Sequence, residues 1–356
     1  MLTDDLGVKS ARLDSLTGLR FFAAFLVFGF HGLHYGQSRE ISVFSAGMSG
    51  VSFFFIVSGF VLAWSARDDD RPSLFFRRRL ARIYPAYFVA WLVSLGLLVT
   101  SGKGVAATDL AAPTLLQSWV PLEPVYFAGS AVFWSLSCEA FFYVAFPALY
   151  KFLNRQGDRA IRLVALLCVA APVALAALLM SAEGDPVPHW LLVIFPPTRL
   201  PEFVLGITLA LLARRGQGVA LPLWAACTLA ATSVAVAGFA PESFSRVAVT
   251  IVPFALLVWS AADADLQGKS SMLRSKVVVT LGTWSYCFYL LHRQAMTLVF
   301  GALNRAGFES QELAGFVLFA SLAGALAVAT IGAWLLHRLI EAPFERRLRP
   351  VPVPAR

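Results

Sequence analysis

Ten apolar stretches, each about the length needed to cross a bilayer, follow one another along a chain of 356 residues. They fall at roughly 16–36, 45–66, 84–101, 131–150, 163–181, 199–213, 219–238, 246–262, 277–301 and 312–338. In lipid each backbone N–H and C=O must be satisfied within the protein, so runs of this length are helices. The fold class expected is therefore all-α: a polytopic membrane helical bundle of about ten transmembrane helices. The sixth stretch is the shortest. The apolar run from Trp190 to Pro197 before it, stopped by Pro196-Pro197, reads as a re-entrant piece that extends it. Only 14% of the residues are charged, against about 25% in soluble domains, and mean hydropathy is +0.71. No polar linker divides the chain, so residues 13–340 are expected to form one transmembrane domain between a cytoplasmic N-terminal segment, 1–12, and a cytoplasmic tail, 341–356.

The basic residues support this count. With the N-terminus inside, the inner segments take Lys9 and Arg12, the cluster from Arg67 to Arg82, Lys151 to Arg162, Arg214 and Arg215, Lys269 to Lys276, and Arg338 onward. These are most of the 29 Lys and Arg, the asymmetry of a cytoplasmic side, so both termini are expected in the cytoplasm. The net charge of +8 is thereby explained as a topology signal, and nucleic acid is not an expected partner. Cys138, Cys168, Cys227 and Cys287 lie in apolar segments, without a C-x-x-C or H-x-x-x-H pair, so neither disulfides nor a metal site is expected. The first dozen residues lack a signal-peptide pattern. The longest outer loop, about 102–130, is expected against the membrane surface, which leaves any chemistry to the bundle itself. The chain is read as a multi-pass protein of a bacterial inner or plasma membrane.

Ionisable groups inside spans are functional-site candidates by default. Arg20 and His31 are eleven positions apart in the first span; at about 100° per residue they share a face, about 16 Å apart along the axis. His34 lies on the same side. Arg79 and Arg82, with Arg78 beside them, form a pair of guanidinium forks suited to phosphate; a topology signal or lipid-headgroup contact explains the run equally well. Glu139 stands in Trp134-Ser135-Leu136-Ser137-Cys138-Glu139 and shares a face with Ser135, which fits either a ligand contact or a structural brace. Arg199 and Glu202 open span six with both signs of charge. Tyr286, Tyr289 and Arg293 line one face of span nine, with His292 turned about 100° from Arg293, a pattern that serves a pore lining or interhelical packing. His189 and His337 sit at span ends, where an interfacial role is the simpler reading.

Taken together, these stretches resemble the acyltransferase 3 family of integral membrane acyltransferases. Arg20 and His31 match its Arg-His opening, Phe53 to Phe60 its Ser-Gly-Phe second span, and Arg79-x-x-Arg82 with Tyr84-Pro85 its paired-Arg motif. Trp134 to Glu139 is similar to its Trp-Ser-Leu-Ser-x-Glu motif, Gly282 to His292 to its Ser-Tyr-x-x-Tyr-x-x-His segment, and Glu341-Ala342-Pro343-Phe344 to its closing Glu-x-Pro. Ala140 and Ser52 stand where many members carry acidic residues. The resemblance implies transfer of an acetyl or other short acyl group from acyl-coenzyme A to a hydroxyl of a sugar, polysaccharide or glycosylated small molecule, with no metal. Arg20, His31 and Glu139 are then the catalytic candidates, His31 as general base or acyl acceptor. Arg78, Arg79, Arg82, Ser135 and Tyr286 are the candidates for binding acyl-coenzyme A. Membrane lipid is the remaining partner. Glu139 is expected to orient His31 or to pair with an arginine. A secondary transporter or flippase for a polar lipid or solute is the alternative, against which stands the lack of an internal repeat.

Overall fold

The computed structural model describes residues 12–35, 44–66, 71–102, 104–182, 185–218 and 220–348. The terminal segments 1–11 and 349–356, and the basic residues Arg39, Arg67 and Lys103, lie outside the described residues. Among the described residues ten long helices fall on the ten apolar stretches: α1 (Asp14–Gly32), α2 (Ser49–Ser65), α3 (Pro72–Thr100), α4 (Trp134–Asn154), α5 (Asp158–Leu179), α6 (Pro196–Arg214), α7 (Leu223–Ala237), α8 (Ile251–Leu266), α9 (Lys276–Arg305) and α10 (Gly315–Leu336). A short helix, α11 (Ala342–Leu348), follows a π-turn at His337–Glu341. No strand occurs among the described residues.

Among the described residues six helical stretches are long and apolar enough to cross a membrane: α1, α3, α4, α5 with its extension to Ala182, Pro186–Arg214, and Gly315–Arg347. The stretch before α6 is a turn of helix, Pro186–His189, and a π-turn, Trp190–Ile194, so the run ahead of Pro196 does lengthen that segment. α2, α7 and α8 are shorter, with 17, 15 and 16 residues. α9 has 30 residues but carries His292, Arg293 and Gln294 within its length. The surface is apolar where a soluble protein would be polar: Phe316 and Phe319 on α10, Leu166 and Leu178 on α5 and Trp224 on α7 are all largely exposed. Such an exterior, over helices of spanning length, marks a membrane protein.

Local chemistry sets the helix ends that matter for the site. Pro72 at the start of α3 takes the first-turn position where its missing N–H is harmless, so the helix begins well before the apolar stretch and carries Arg79 and Arg82 in helical register. Ser275 caps α9 by accepting from the Val278 N–H. At the start of α1, the buried carboxylate of Asp265 accepts from Ser15 N at 2.8 Å and Ser15 Oγ at 2.7 Å, which ties α1 to the end of α8.

The helices meet backbone to backbone where glycine permits it. Gly59 of α2 and Gly206 of α6 face each other so closely that a Cβ on either would overlap the partner's backbone, at Phe203 O and Ile56 O respectively. Gly282 of α9 sits in the same way on Thr17 of α1. Small residues at crossings are the membrane's means of gaining packing where lipid already satisfies apolar surface. Gly206→Ala is expected to cost about 1–3 kcal/mol through this overlap, whereas Gly96→Ala, in open space on α3, is expected to hold or raise stability through helix propensity. Thermal midpoints of the two purified proteins in one detergent check this; equal midpoints would show that the crossing is not tight.

Candidate active site

Two cavities open at opposite ends of the bundle. The proximal end carries the start of α1 and α11, and the distal end carries the loops 104–133, 185–195 and 239–250. The proximal cavity, of about 100 Å³, is framed by α1, α2, α3, α4 and α9. Helical register brings Arg20 to it from α1, Arg79 and Arg82 from α3, Ser135 and Glu139 from α4, and Tyr286 from α9. Six of the eight residues singled out from the sequence therefore converge here. Arg78 is absent from the lining.

Within this cavity Glu139 Oε1 accepts from Tyr143 Oη at 2.5 Å and from Ser58 Oγ at 3.4 Å. The helical neighbour that reaches it is thus Tyr143, four residues on. Ser135, four residues back, is taken by Tyr289, hydroxyl to hydroxyl at 2.7 Å, and both hydroxyls lie near Val132 O. Tyr286 Oη donates to Ile83 O at 2.9 Å. Arg79 lies over the Phe75 ring with a buried Nε that has no hydrogen-bond partner, and Arg82 reaches Glu345 of α11 at 3.6 Å. Arg20 makes no hydrogen bond or ion pair with any described residue. Three guanidinium groups thus line this cavity beside Glu139; Arg82 is answered by Glu345, while Arg20 and Arg79 have no ion pair among the described residues, which leaves positive charge suited to an anionic ligand.

The distal cavity, of about 400 Å³, is reached by His31, His34, Arg293, Arg246 and Glu242. His31 Nδ1 lies 3.0 Å from Val27 O and 3.1 Å from His292 Nε2, and His292 Nδ1 lies 2.8 Å from Tyr289 O. A carbonyl only accepts, so His292 carries its proton on Nδ1 and offers a lone pair at Nε2. His31 then carries its proton on Nδ1, shared between Val27 O and His292, and its Nε2 is left with a free lone pair. His31 is 5% exposed and His292 is fully buried, so this pairing is insulated from water. His34 is exposed, its ring 6.2 Å from that of His31. On the rim, Glu242 Oε1 pairs with Arg246 at 2.5 Å and His189 at 3.6 Å; the bond to His189, then that to Arg246, holds the Glu242 carboxyl down to about 2.

His31 is therefore oriented by His292 and by its own helix, while Glu139, in the other cavity, touches neither His31 nor an arginine by hydrogen bond or ion pair. His292, which the sequence pattern leaves between pore lining and interhelical packing and outside the catalytic candidates, is the partner of His31. Its signal is the last position of Tyr289-x-x-His292, one turn beyond a tyrosine on the polar face of that helix. Tyr289 joins the two ends: its hydroxyl lines the proximal cavity and its carbonyl holds His292.

Arg199 and Glu202 form a bidentate pair at 2.8 and 3.0 Å, both essentially unexposed, with Ser52 Oγ 3.0 Å from Arg199 Nη2. Ser52 supplies Arg199 with a neutral acceptor. Cys287, His337 and Glu341 bring three metal-capable atoms within 4.8 Å of one another. Hydrogen bonds already join them, His337 Nδ1 to Glu341 Oε2 at 2.7 Å and Cys287 Sγ to the same oxygen at 3.2 Å, and they fasten the π-turn to α9.

Comparison with known proteins bears on what this geometry serves. The chain matches the acyltransferase 3 family model, described as an acyltransferase domain, over residues 13–338. It is 39% identical to acyltransferase MdmB of Streptomyces mycarofaciens over 96% of this chain and 95% of that protein. It is 31% identical to nodulation protein 10 of Rhizobium leguminosarum bv. viciae over 41% of this chain and 47% of that protein. No solved structure matches it. A helical membrane bundle with buried Arg, His and Glu, matched from end to end by an acyltransferase, belongs to the acyltransferase 3 family and is an enzyme that transfers acyl groups other than aminoacyl groups.

Proposed function

We propose that the enzyme moves an acetyl or other short acyl group from acyl-coenzyme A to a hydroxyl of a sugar, polysaccharide or glycosylated small molecule, with the donor bound from the cytoplasm. The observation that carries this reading is the division of labour between the cavities: a cluster of guanidinium groups at one end, of which Arg20 and Arg79 have no ion pair among the described residues, and a histidine with a free Nε2 at the other. In this reading the chain crosses a bacterial cell membrane ten times with both termini in the cytoplasm, so the proximal cavity faces the donor and the distal cavity faces outward.

Arg79 and Arg82 hold the phosphates of the carrier, helped by Arg78 at the mouth and by Ser135 and Tyr286 deeper in. Arg20, further along α1, draws the thioester inward, and Glu139 keeps the arginine-rich chamber hydrated and bounded through Tyr143 and Ser58. At His31 the acceptor hydroxyl gives its proton to Nε2 as its oxygen attacks the thioester carbonyl carbon. The C–O ester bond forms, the C–S bond breaks, and the proton passes to the departing thiolate. A covalent acyl group on Nε2 makes the same demand on His31, a lone pair kept free by the proton on Nδ1.

Purified protein in detergent is expected to release free thiol from acyl-coenzyme A. Replacing both Arg79 and Arg82 with Gln is expected to raise KM for the donor about ten- to a hundredfold, the worth of one charge-assisted hydrogen bond, with a smaller change in kcat. Unchanged KM in the double variant, or no thiol release with acetyl-, propionyl- or butyryl-coenzyme A, would overturn the donor assignment.

A further inference from the structure

The proximal and distal cavities stop one helical turn short of each other. No described residue lines both. On α9, Tyr289 lines the proximal cavity and Arg293, four positions on, lines the distal one, a step of about 6 Å along the axis. Four positions likewise part Ser135 of α4 from Ala131 just before it, and three part Val51 of α2 from Met48. Three elements around the bundle thus agree on one thin partition.

Tyr289 is the side chain that reaches both faces of it. The residue is 6% exposed, and its ring meets Phe54 of the proximal lining edge-on, with centroids 5.8 Å apart. The same ring packs at 5.8 Å on His292, whose Nε2 meets His31 of the distal lining. Its hydroxyl crosses from α9 to the start of α4, 2.7 Å from Ser135 Oγ and 3.0 Å from Val132 O. This latch is light. Ser135 Oγ is itself 3.0 Å from Val132 O, so the carbonyl keeps a donor when the Tyr289 hydroxyl leaves. Tyr289 holds His292 through its backbone carbonyl, so the ring can turn while that bond stays.

The proposed chemistry needs a way through this partition. Carrier phosphates at Arg79 and Arg82 lie on one side and the lone pair of His31 on the other, so the thioester has to cross while its phosphates stay behind. We infer that the Tyr289 side chain is the door between the donor chamber and His31, and that the gap it leaves sets the width of the acyl group transferred. The inference rests on acyl-coenzyme A binding in the proximal cavity and on bond making at His31. With the door closed, the thioester is kept from the distal cavity. With the ring swung off α4, a slim acetyl group passes readily, while a flat or branched acyl group is held back by the ring. Tyr289 is thereby a selectivity residue.

The test reads two quantities. The first is the ratio of kcat/KM for benzoyl- and acetyl-coenzyme A. The unaltered enzyme is expected to favour acetyl about ten- to a hundredfold, the scale of forcing extra bulk past a packed ring. Tyr289→Ala is expected to move the ratio about tenfold toward benzoyl, as removal of apolar bulk from a selective passage does. The second is thiol release from acetyl-coenzyme A without an acceptor, in which water takes the acceptor's place. Its proton goes to His31 Nε2 as its oxygen attacks the thioester carbon; the C–O bond forms, the C–S bond breaks, and free acid and thiol result. Tyr289→Phe keeps the ring and loses only the latch, so the door stands open more often and this release is expected to rise about two- to tenfold, the worth of one hydrogen bond. A merely structural tyrosine would lower both rates and leave the donor ratio alone. A ratio unmoved in Tyr289→Ala, or acceptor-free release unmoved or lowered in Tyr289→Phe, overturns the door and leaves the acyltransfer reading intact. If Tyr289→Ala does not fold, as judged by its thermal midpoint, Tyr289→Phe decides alone. No thiol release from any donor by the unaltered enzyme removes the donor reading, and the door with it.

Discussion

His31→Ala is expected to lower acyl transfer about 10²–10⁴-fold, the usual worth of a positioned general base, with KM for the donor little changed. The separation follows from the two cavities: the guanidinium groups proposed for the donor lie at the proximal end, and no hydrogen bond or ion pair links them to His31. His292 adds an internal control. Its Nε2 accepts from His31 Nδ1 and so keeps the Nε2 of His31 free of a proton. His292→Gln can place an amide oxygen there and is expected to retain part of the activity, whereas His292→Leu cannot accept and is expected to fall most of the way to the His31→Ala level. Rates of ester formation, measured beside thermal midpoints, separate this from unfolding. Full turnover in His31→Ala would remove the central residue of the mechanism, and equal activity in the two His292 proteins would remove the positioning role.

The parts of this site that were legible in the sequence are those set by one helix's own geometry. Eleven positions along α1 put Arg20 and His31 on one face, and the structure has both facing inward to cavities. Three positions along α3 make Arg79 and Arg82 neighbours, and both line the proximal cavity. What could not be read is which helix stands opposite. His31 and His292 are 261 positions apart, and their contact depends on the glycine-tight packing of α1 on α9. Glu139 shows the same limit on a smaller scale. The spacing offers Ser135 as its neighbour, but Tyr289, from another helix, takes Ser135, and Glu139 is bonded by Tyr143 instead. Helix ends depart from the apolar stretches where polar residues continue a helix beyond its apolar core. α3 starts at Pro72 rather than near 84, since a helix rich in Arg needs no lipid to hold its first turns.

Glu202→Ala is expected to destabilise the protein by about 3–5 kcal/mol, because it strands the Arg199 charge in the interior. Arg199 is 2% exposed, and without the bidentate carboxylate it keeps only Ser52 Oγ at 3.0 Å, Val193 O at 3.3 Å and the faces of Phe55 and Trp134. None of these carries a negative charge. The pair draws together α2, α4, α6 and the π-turn before it, so its loss is expected to loosen the wall between the two cavities. The double variant Arg199→Met with Glu202→Met removes both charges, and it is expected to recover most of the lost stability, since a buried ion pair gains little over apolar residues of similar volume. Thermal midpoints and the fraction of monodisperse protein in detergent, measured for the single and double variants, decide the matter. A double variant less stable than Glu202→Ala would mean that Arg199 holds the helices together through Ser52, Val193 and the two rings, independent of its carboxylate.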